Sequence, residues 1–467
     1  MLFRRSRRTT GSGDDPGARA TAGDDVATFE EGPEAPDDER EGDIAPESEE
    51  RSADDSWRAR AAVVIPGGAS TGSKRPSAMY GESESGEGEG RDADGPDRDD
   101  EVSGPTHFVS ASGCAITTAG GDTLIDCTMA LGAVAIGYGD RLVAHSVGEA
   151  ALQGNIAGLS HVREVSVAER LCEVIPCAES VLFLKTGAEG VAAAVRIARV
   201  QTGREHVIGC GYFGWLDWSS AEPGVPTPVR STYTKLPFDD VAALDRAVSE
   251  AGDRLAAIVL EPVIERLPST EWIAAARAHC DRVGAVLIFD EIKTGFRLRT
   301  GGYQELSGVQ PDLSVFGKAL ANGFPLAAVV GQRDVMDAAR RTWISSTLAS
   351  EGSALAAAAA VLEWHERADV CESLWSIGAD LRAGVATAIE ASGLPGVAVD
   401  GIDPMWLIRF DDPGVERRFL RLALREGVLF KRGAYNFASL SHEDDSILQV
   451  ERAASTALVE LRRETRD

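Results

Sequence analysis

From residue 108 onward, short apolar runs alternate with longer amphipathic stretches rich in alanine. The runs at 180–184, 206–210, 256–260, 285–289 and 313–316 are mostly continuous and lack in–out alternation. That is the pattern of strands covered on both faces. Between them, 189–201, 241–251 and 271–283 carry apolar residues at helical spacing. Strands alternating with helices predict an α/β fold on a mostly parallel sheet. Beyond about residue 338 the chain turns helical, then gives shorter strands near 405–410 and 427–430. This predicts a smaller C-terminal α+β domain. No internal repeat is visible.

The pattern is absent from residues 1–56, which are rich in Asp, Glu, Gly, Ser, Pro and Ala. Such a segment buries too little apolar surface to offset its ordering entropy, and disorder is expected. A second acidic stretch, 81–105, reads as a solvated insertion. The expected organisation is a disordered acidic segment at 1–56 and an N-terminal arm with the start of the small domain at 57–125. A large domain at 126–340 and a small C-terminal domain at 341–467 complete it.

Charge narrows the function. The net charge is −27, and residues 1–106 hold 27 acidic against 13 basic side chains. An acidic surface disfavours nucleic acid and anionic membrane as partners. No apolar run reaches the length of a membrane span. The basic start, Met1 to Arg8, has no apolar stretch after it and reads as an exposed basic end. Arginine greatly outnumbers lysine; a high-salt cytoplasm and a GC-rich genome both account for that. The seven scattered cysteines show no zinc-ligand spacing, so no metal is expected, and reduced thiols in the cytoplasm are.

Ligands of open parallel sheets sit at the carboxyl ends of strands. At those ends stand Lys185-Thr186-Gly187-Ala188-Glu189, Gly211-Tyr212-Phe213-Gly214-Trp215, Glu261-Pro262-Val263, Asp290-Glu291-Ile292 and Gly317-Lys318. A small-residue turn opening a helix offers free amides and a positive dipole end to a phosphate. Tyr212 suits stacking on a flat heteroaromatic ring. Asp290 ends an apolar strand, where an unpaired carboxylate is costly to bury; a protonated ring nitrogen is one partner, an ordinary ion pair another. A partly desolvated Lys318 is a competent amine nucleophile.

Taken together, these blocks resemble the class III aminotransferases of fold type I. The resemblance rests on Leu287-Ile288-Phe289-Asp290-Glu291-Ile292-Lys293-Thr294-Gly295-Phe296-Arg297. It rests equally on Pro311-Asp312-Leu313-Ser314-Val315-Phe316-Gly317-Lys318-Ala319-Leu320-Ala321-Asn322-Gly323-Phe324-Pro325. It spans roughly residues 60–460. It implies a pyridoxal 5'-phosphate enzyme with a large mostly parallel sheet domain and a smaller C-terminal domain. Lys318 is then the Schiff-base lysine, which also moves protons at the substrate carbon. Asp290 holds the pyridine N–H and keeps the ring an electron sink. Tyr212 covers one ring face and Ile292 lies under the other. Gly187 and Ala188 cradle the phosphate, and Glu261 lies on the hydroxyl side. Thr347 reaches the phosphate of a neighbouring subunit, which implies a homodimer. Ala188 stands where the family usually has a hydroxyl residue, and Phe213 where histidine is common.

Within that family the arm Val64-Ile65-Pro66-Gly67-Gly68-Ala69 resembles the glutamate-1-semialdehyde aminomutases, whose arm is followed by a carboxylate-binding arginine. Here Lys74 takes that position and Arg75 follows; Arg266 is a further candidate for the substrate carboxylate. Lysine lacks the bidentate fork of arginine. Gly211 to Trp218 looks more like the less specialised aminotransferases. The expected activity is therefore amino transfer from a small-molecule amino donor to an aldehyde or keto acceptor. Intramolecular transfer giving 5-aminolevulinate is the main alternative. Racemase or decarboxylase chemistry and a non-catalytic cofactor-binding scaffold are more remote.

Overall fold

The computed structural model describes residues 52–81 and 104–464. Residues 1–51 and nearly all of the acidic insertion expected at 81–105 lie outside the described residues. The arm helix Ala53–Val64 starts inside the stretch expected to be disordered. Ser52 caps it, accepting from the Asp55 amide, and Asp54 and Asp55 sit at its positive end.

Fourteen strands among the described residues form three sheets. They are β1 (Phe108–Ser112), β2 (Ala115–Thr118), β3 (Thr123–Asp126), β4 (Ser180–Leu184), β5 (His206–Cys210), β6 (Tyr233–Lys235) and β7 (Leu255–Leu260). Then come β8 (Val286–Asp290), β9 (Leu313–Phe316), β10 (Ala327–Gly331), β11 (Val397–Ile402), β12 (Met405–Phe410), β13 (Val428–Leu429) and β14 (Asn436–Phe437). The central sheet has the order β4-β10-β9-β8-β7-β5-β6. Strands β9, β8, β7, β5 and β6 run parallel. β10 is antiparallel to both of its neighbours, so β4 runs with the parallel set. The carboxyl ends of β4, β5, β7, β8 and β9 therefore share one edge.

The continuous apolar runs are explained by layers on both faces. Ile208, Ile258 and Leu287 point into a core with Leu244, Val248, Trp272 and Ala276. Their chain neighbours Val207, Val259 and Ile288 point the other way, onto Val191, Ala194 and Ile197. The first layer comes from the helices Val241–Ala251 and Thr270–Val283, the second from Gly187–Thr202. Capping fixes where two of these helices begin. Ser269 accepts from the Trp272 amide, and Thr186 with Glu189 forms a capping box. Left-handed Gly284 and Gly203 end them.

A second sheet, β1-β2-β3-β13, joins the arm region to the C-terminal region, because β13 pairs parallel to β3. The third, β11-β12-β14, packs with the helices Val370–Ser392, Pro413–Arg425 and Asp444–Glu464 around Trp406, Phe419 and Leu458.

Candidate functional site

Strand register puts the expected residues side by side. Cys210 pairs with Leu260, and Leu260 with Phe289, so Gly211, Glu261 and Asp290 stand level at the strand ends. Asp290 pairs with Val315, and Lys318 follows β9 after Gly317.

Asp290 is buried, and its Oδ1 accepts the Ile292 amide at 3.0 Å. No ion pair engages it among the described residues. Burial, then the nearby Glu261, pushes its carboxyl up to about 8. A cation placed against Asp290 would reverse that, since an opposite charge favours the ionised form.

Lys318 opens a short 3-10 turn, Lys318–Ala321, with φ +48°. A left-handed lysine costs on the order of 1–2 kcal/mol. The surrounding bonds enforce it: the Leu320 amide donates to the Gly317 carbonyl at 3.0 Å. Asn322, left-handed as well, ends the turn and anchors it. Its Oδ1 accepts the Ala135 and Ile136 amides at 3.0 and 3.1 Å, and its Nδ2 donates to the Gly137 carbonyl at 2.9 Å. Burial, and after it the Lys293 ammonium, pushes the Lys318 amine down to about 8. A larger share of this amine is therefore neutral near pH 7 than for a free lysine.

The helix Gly187–Thr202 supplies the anion end of the site. Its capping box takes up the amides of Lys185, Thr186 and Glu189. The amides of Gly187 and Ala188 remain for a ligand, because first-turn amides have no intrahelical acceptor. Lys185 turns away to Glu351 at 2.7 Å and the Pro325 carbonyl at 3.0 Å. Close packing welds the pieces together. A β-carbon on Gly214 would stand 2.4 Å from that of Ala188, and one on Gly211 would stand 2.4 Å from that of Glu261.

Glu261 Oε2 accepts the Tyr212 amide at 3.1 Å. Its Oε1 meets Lys293 Nζ at 2.5 Å, and that ammonium lies 4.2 Å from the centre of the Tyr435 ring. The Tyr212 side chain is 75% exposed, an aromatic face open to solvent.

Other candidates fare differently. Thr347 is exposed, in the segment before the helix Gly352–Arg367. Lys74 and Arg75 are exposed at the arm. Arg75 packs against Gly67, where a β-carbon would meet its Nε at 2.8 Å. Lys74 lines a cavity of about 410 Å³ with Lys431 and Arg432. Arg266 is tied to Asp239 and stacks 5.2 Å from the centre of Phe238.

Three residues were not singled out in the sequence. Lys293 and Arg297 lie in the β8 block and Asn322 in the β9 block; a charged or amide residue within a run of small and apolar ones was the available signal. Arg297 is fully buried. Its guanidinium donates to the carbonyls of Ala438 at 2.7 Å, Gly132 at 3.0 Å and Pro404 at 3.4 Å. All seven cysteines are unpaired, and the described residues hold no cluster fit for a metal.

The site thus presents an unpaired buried carboxylate, a desolvated amine and two free helix-start amides around Ile292. Those are complements of a protonated ring nitrogen, an aldehyde and a phosphate, the three polar ends of pyridoxal phosphate.

Comparison with known proteins agrees. Residues 99–447 match the family described as aminotransferase class-III. The chain is 33% identical over 361 residues to the 2'-deamino-2'-hydroxyneamine transaminase of Streptomyces kanamyceticus, covering 75% of this chain and 90% of that one. It is 31% identical over 393 residues to the glutamate-1-semialdehyde 2,1-aminomutase of Polynucleobacter asymbioticus, with the same coverage of each. The FumI protein of Sphingopyxis sp. MTA144, solved in its PLP internal aldimine form, superposes with a TM-score of 0.79 at 25% identity. That match covers 89% of this chain and 98% of the other.

Proposed function

The chain belongs to the class III aminotransferases, and on that premise we propose that Lys318 carries the pyridoxal phosphate these enzymes use. The enzyme has the fold type I architecture and acts on a small-molecule amino donor and a carbonyl acceptor. The observation that carries the residue roles is the pairing of strand ends, Asp290 closing β8 and Lys318 just beyond β9.

The cofactor supplies an electron sink for the pair of electrons left when the bond from the substrate carbon to hydrogen breaks. Asp290, ionised against the ring nitrogen, holds that nitrogen protonated. Lys318 would hold the cofactor covalently, and its amine is the group placed to hold or move a proton at the substrate carbon. The amides of Gly187 and Ala188 hold the phosphate, with the helix dipole behind them. Ile292 would support one ring face, and Tyr212 would cover the other. Glu261 lies on the hydroxyl side.

A homodimer is part of this reading. Leu152, Leu159, Val162 and Trp343 are each at least 80% exposed, large apolar side chains that a neighbouring subunit would cover. Thr347 lies four residues beyond Trp343 and would reach the neighbouring phosphate. The unpaired cysteines support a reducing, cytoplasmic setting.

Borohydride treatment followed by peptide mapping tests the central assignment: the cofactor label is expected on Lys318 and absent from Lys318→Ala. A Lys318→Ala protein that still forms a reducible linkage overturns it. The aminomutase reading is supported by relatives of comparable identity. Glutamate semialdehyde supplied alone distinguishes the two: 5-aminolevulinate marks the mutase, whereas a requirement for a separate amino donor marks the transferase.

A further inference from the structure

The chain has six lysines, and two of them, Lys293 and Lys318, meet in this site. Lys293 follows β8 by three residues and is 7% exposed. A buried ammonium without a partner is costly, so its surroundings show what it is held for. Glu261 Oε1, 2.5 Å away, takes the charge. The Tyr435 ring, 4.2 Å from Nζ to centroid, covers it with a π face. One partner follows β7; the other comes from the C-terminal region, so the ammonium cannot leave without breaking contacts on two sides.

We propose that Lys293 is a positioning residue that acts through Lys318: clamped between Glu261 and Tyr435, it offsets the Glu261 charge beside the cofactor lysine. This rests on Lys318 being that lysine. The groups bearing on Lys318 are two cations, Lys293 and Arg297, and two carboxylates, Glu261 and Asp290. Asp290 is committed to the cofactor ring, and Arg297 is buried among three backbone carbonyls. The balance that remains adjustable is Glu261 against Lys293. An uncompensated Glu261 would hold an extra proton on the Lys318 nitrogen and favour the form that cannot attack or accept a proton.

The test uses the holoenzyme as wild type and as Lys293→Met, Lys293→Arg, Glu261→Gln and Lys293→Met/Glu261→Gln. Borohydride mapping comes first. A label away from Lys318 in the wild type overturns the Lys318 assignment and this inference with it. With the label on Lys318, the readout is the pH midpoint of the visible cofactor absorption. Lys293→Met is expected to raise it by about one unit, the low end for one neighbouring charge. Lys293→Arg should stay near wild type, and the double variant should return toward it. Glu261→Gln, which keeps the ammonium and removes its counter-charge, should lower the midpoint, and it carries the test alone if Lys293→Met does not fold. Packing alone predicts no such change of sign. An unshifted midpoint in Lys293→Met or Glu261→Gln, or equal shifts in Lys293→Met and Lys293→Arg, overturns the inference while leaving Lys318 in place.

Discussion

A β-carbon placed on Gly187 would stand 2.5 Å from Cδ1 of Ile292, so the start of the helix proposed to hold the phosphate packs directly on the residue proposed to lie under the cofactor ring. Three ångströms is a floor for real contacts of this kind. Gly187→Ala must therefore push Ile292 upward or tilt the helix start. Overpacking of this size costs about 1–3 kcal/mol. The expected result is a folded protein with cofactor affinity reduced at least about tenfold, measured by titrating apoprotein with pyridoxal phosphate. Gly187→Ala combined with Ile292→Val, which frees a methyl group, should recover part of the loss.

Asp290 gives the apoprotein a pH signature. Its folded value is raised to about 8, so between about 4 and 8 the folded state binds more protons than the unfolded one. Stability then falls as pH rises through that window. Lys318 acts in the opposite sense and higher up. Its folded value is lowered to about 8, so the unfolded state binds more protons above that pH, and stability rises from there toward about 10.4. Asp290→Asn should remove the first slope: apoprotein melting between pH 5 and 8 should decline more steeply in wild type than in the variant. The same variant should hold pyridoxal phosphate less tightly, since the ring nitrogen loses its counter-charge.

Arg297 makes a separate prediction about the frame of the site. Three carbonyls, from residues 132, 404 and 438, share its guanidinium. Arg297→Met leaves the Gly132 and Ala438 carbonyls without that donor in a buried place, while the Pro404 carbonyl still accepts the Ala438 amide at 3.2 Å, a loss of about 3 kcal/mol. Thermal unfolding of the variant should occur well below that of wild type. Arg297→Lys should recover little, because an ammonium lacks the planar spread of donors.

The dimer reading is checked at Leu159, 87% exposed and adjoining the helix Val162–Val174. Leu159→Asp should sediment as a monomer and hold cofactor weakly, if a neighbouring Thr347 completes the phosphate site. Thr347→Ala should stay dimeric yet lose affinity for the cofactor. A monomeric wild type removes both expectations.

Strands β4, β5, β7, β8 and β9 were legible because each is a short apolar run followed by a chemically marked residue, as Phe289 is by Asp290, whereas the edge strand β6, Tyr233-Thr234-Lys235, is no apolar run and was not singled out. β10 was not singled out: Ala327-Ala328-Val329-Val330-Gly331 carries no site residue, and it runs antiparallel between β4 and β9. The Glu261–Lys293 pair was illegible for another reason. Its members lie on separate strand ends, and only the Leu260–Phe289 register brings them together. Arg297 was visible as a motif residue, but its acceptors are backbone carbonyls, which every residue has. Arg266 has a partner that its sequence position does not show. A charge beside Glu261 suggested substrate binding, while Asp239, distant in sequence, engages it.

That contrast yields a prediction about the substrate. Lys74, Lys431 and Arg432 line one cavity whose walls include Ile65, Phe108, Ile116 and Leu131. Burial, then Arg432, lowers the Lys431 amine, and Lys74 has no ion pair among the described residues. Arg432 pairs with Glu416 at 3.5 Å and Asp126 lines the same cavity, so the charge left for a substrate carboxylate is that of Lys74 and Lys431, neither in an ion pair among the described residues. Arg266 has its carboxylate already. If Lys74 holds the substrate carboxylate, Lys74→Ala forfeits one charge-assisted bond, about 1.5 kcal/mol, and KM for a carboxylate-bearing amine rises about tenfold. kcat should stay close to wild type, because the contact is equal in ground and transition states. An amine of the same shape without the carboxylate should show no such penalty. Lys74→Arg should bind at least as well, through its bidentate fork. Arg266→Ala should leave KM unchanged and lower thermal stability slightly. If Arg266→Ala raises KM and Lys74→Ala does not, the carboxylate binds on the Glu261 side, and the arm has no part in recognition.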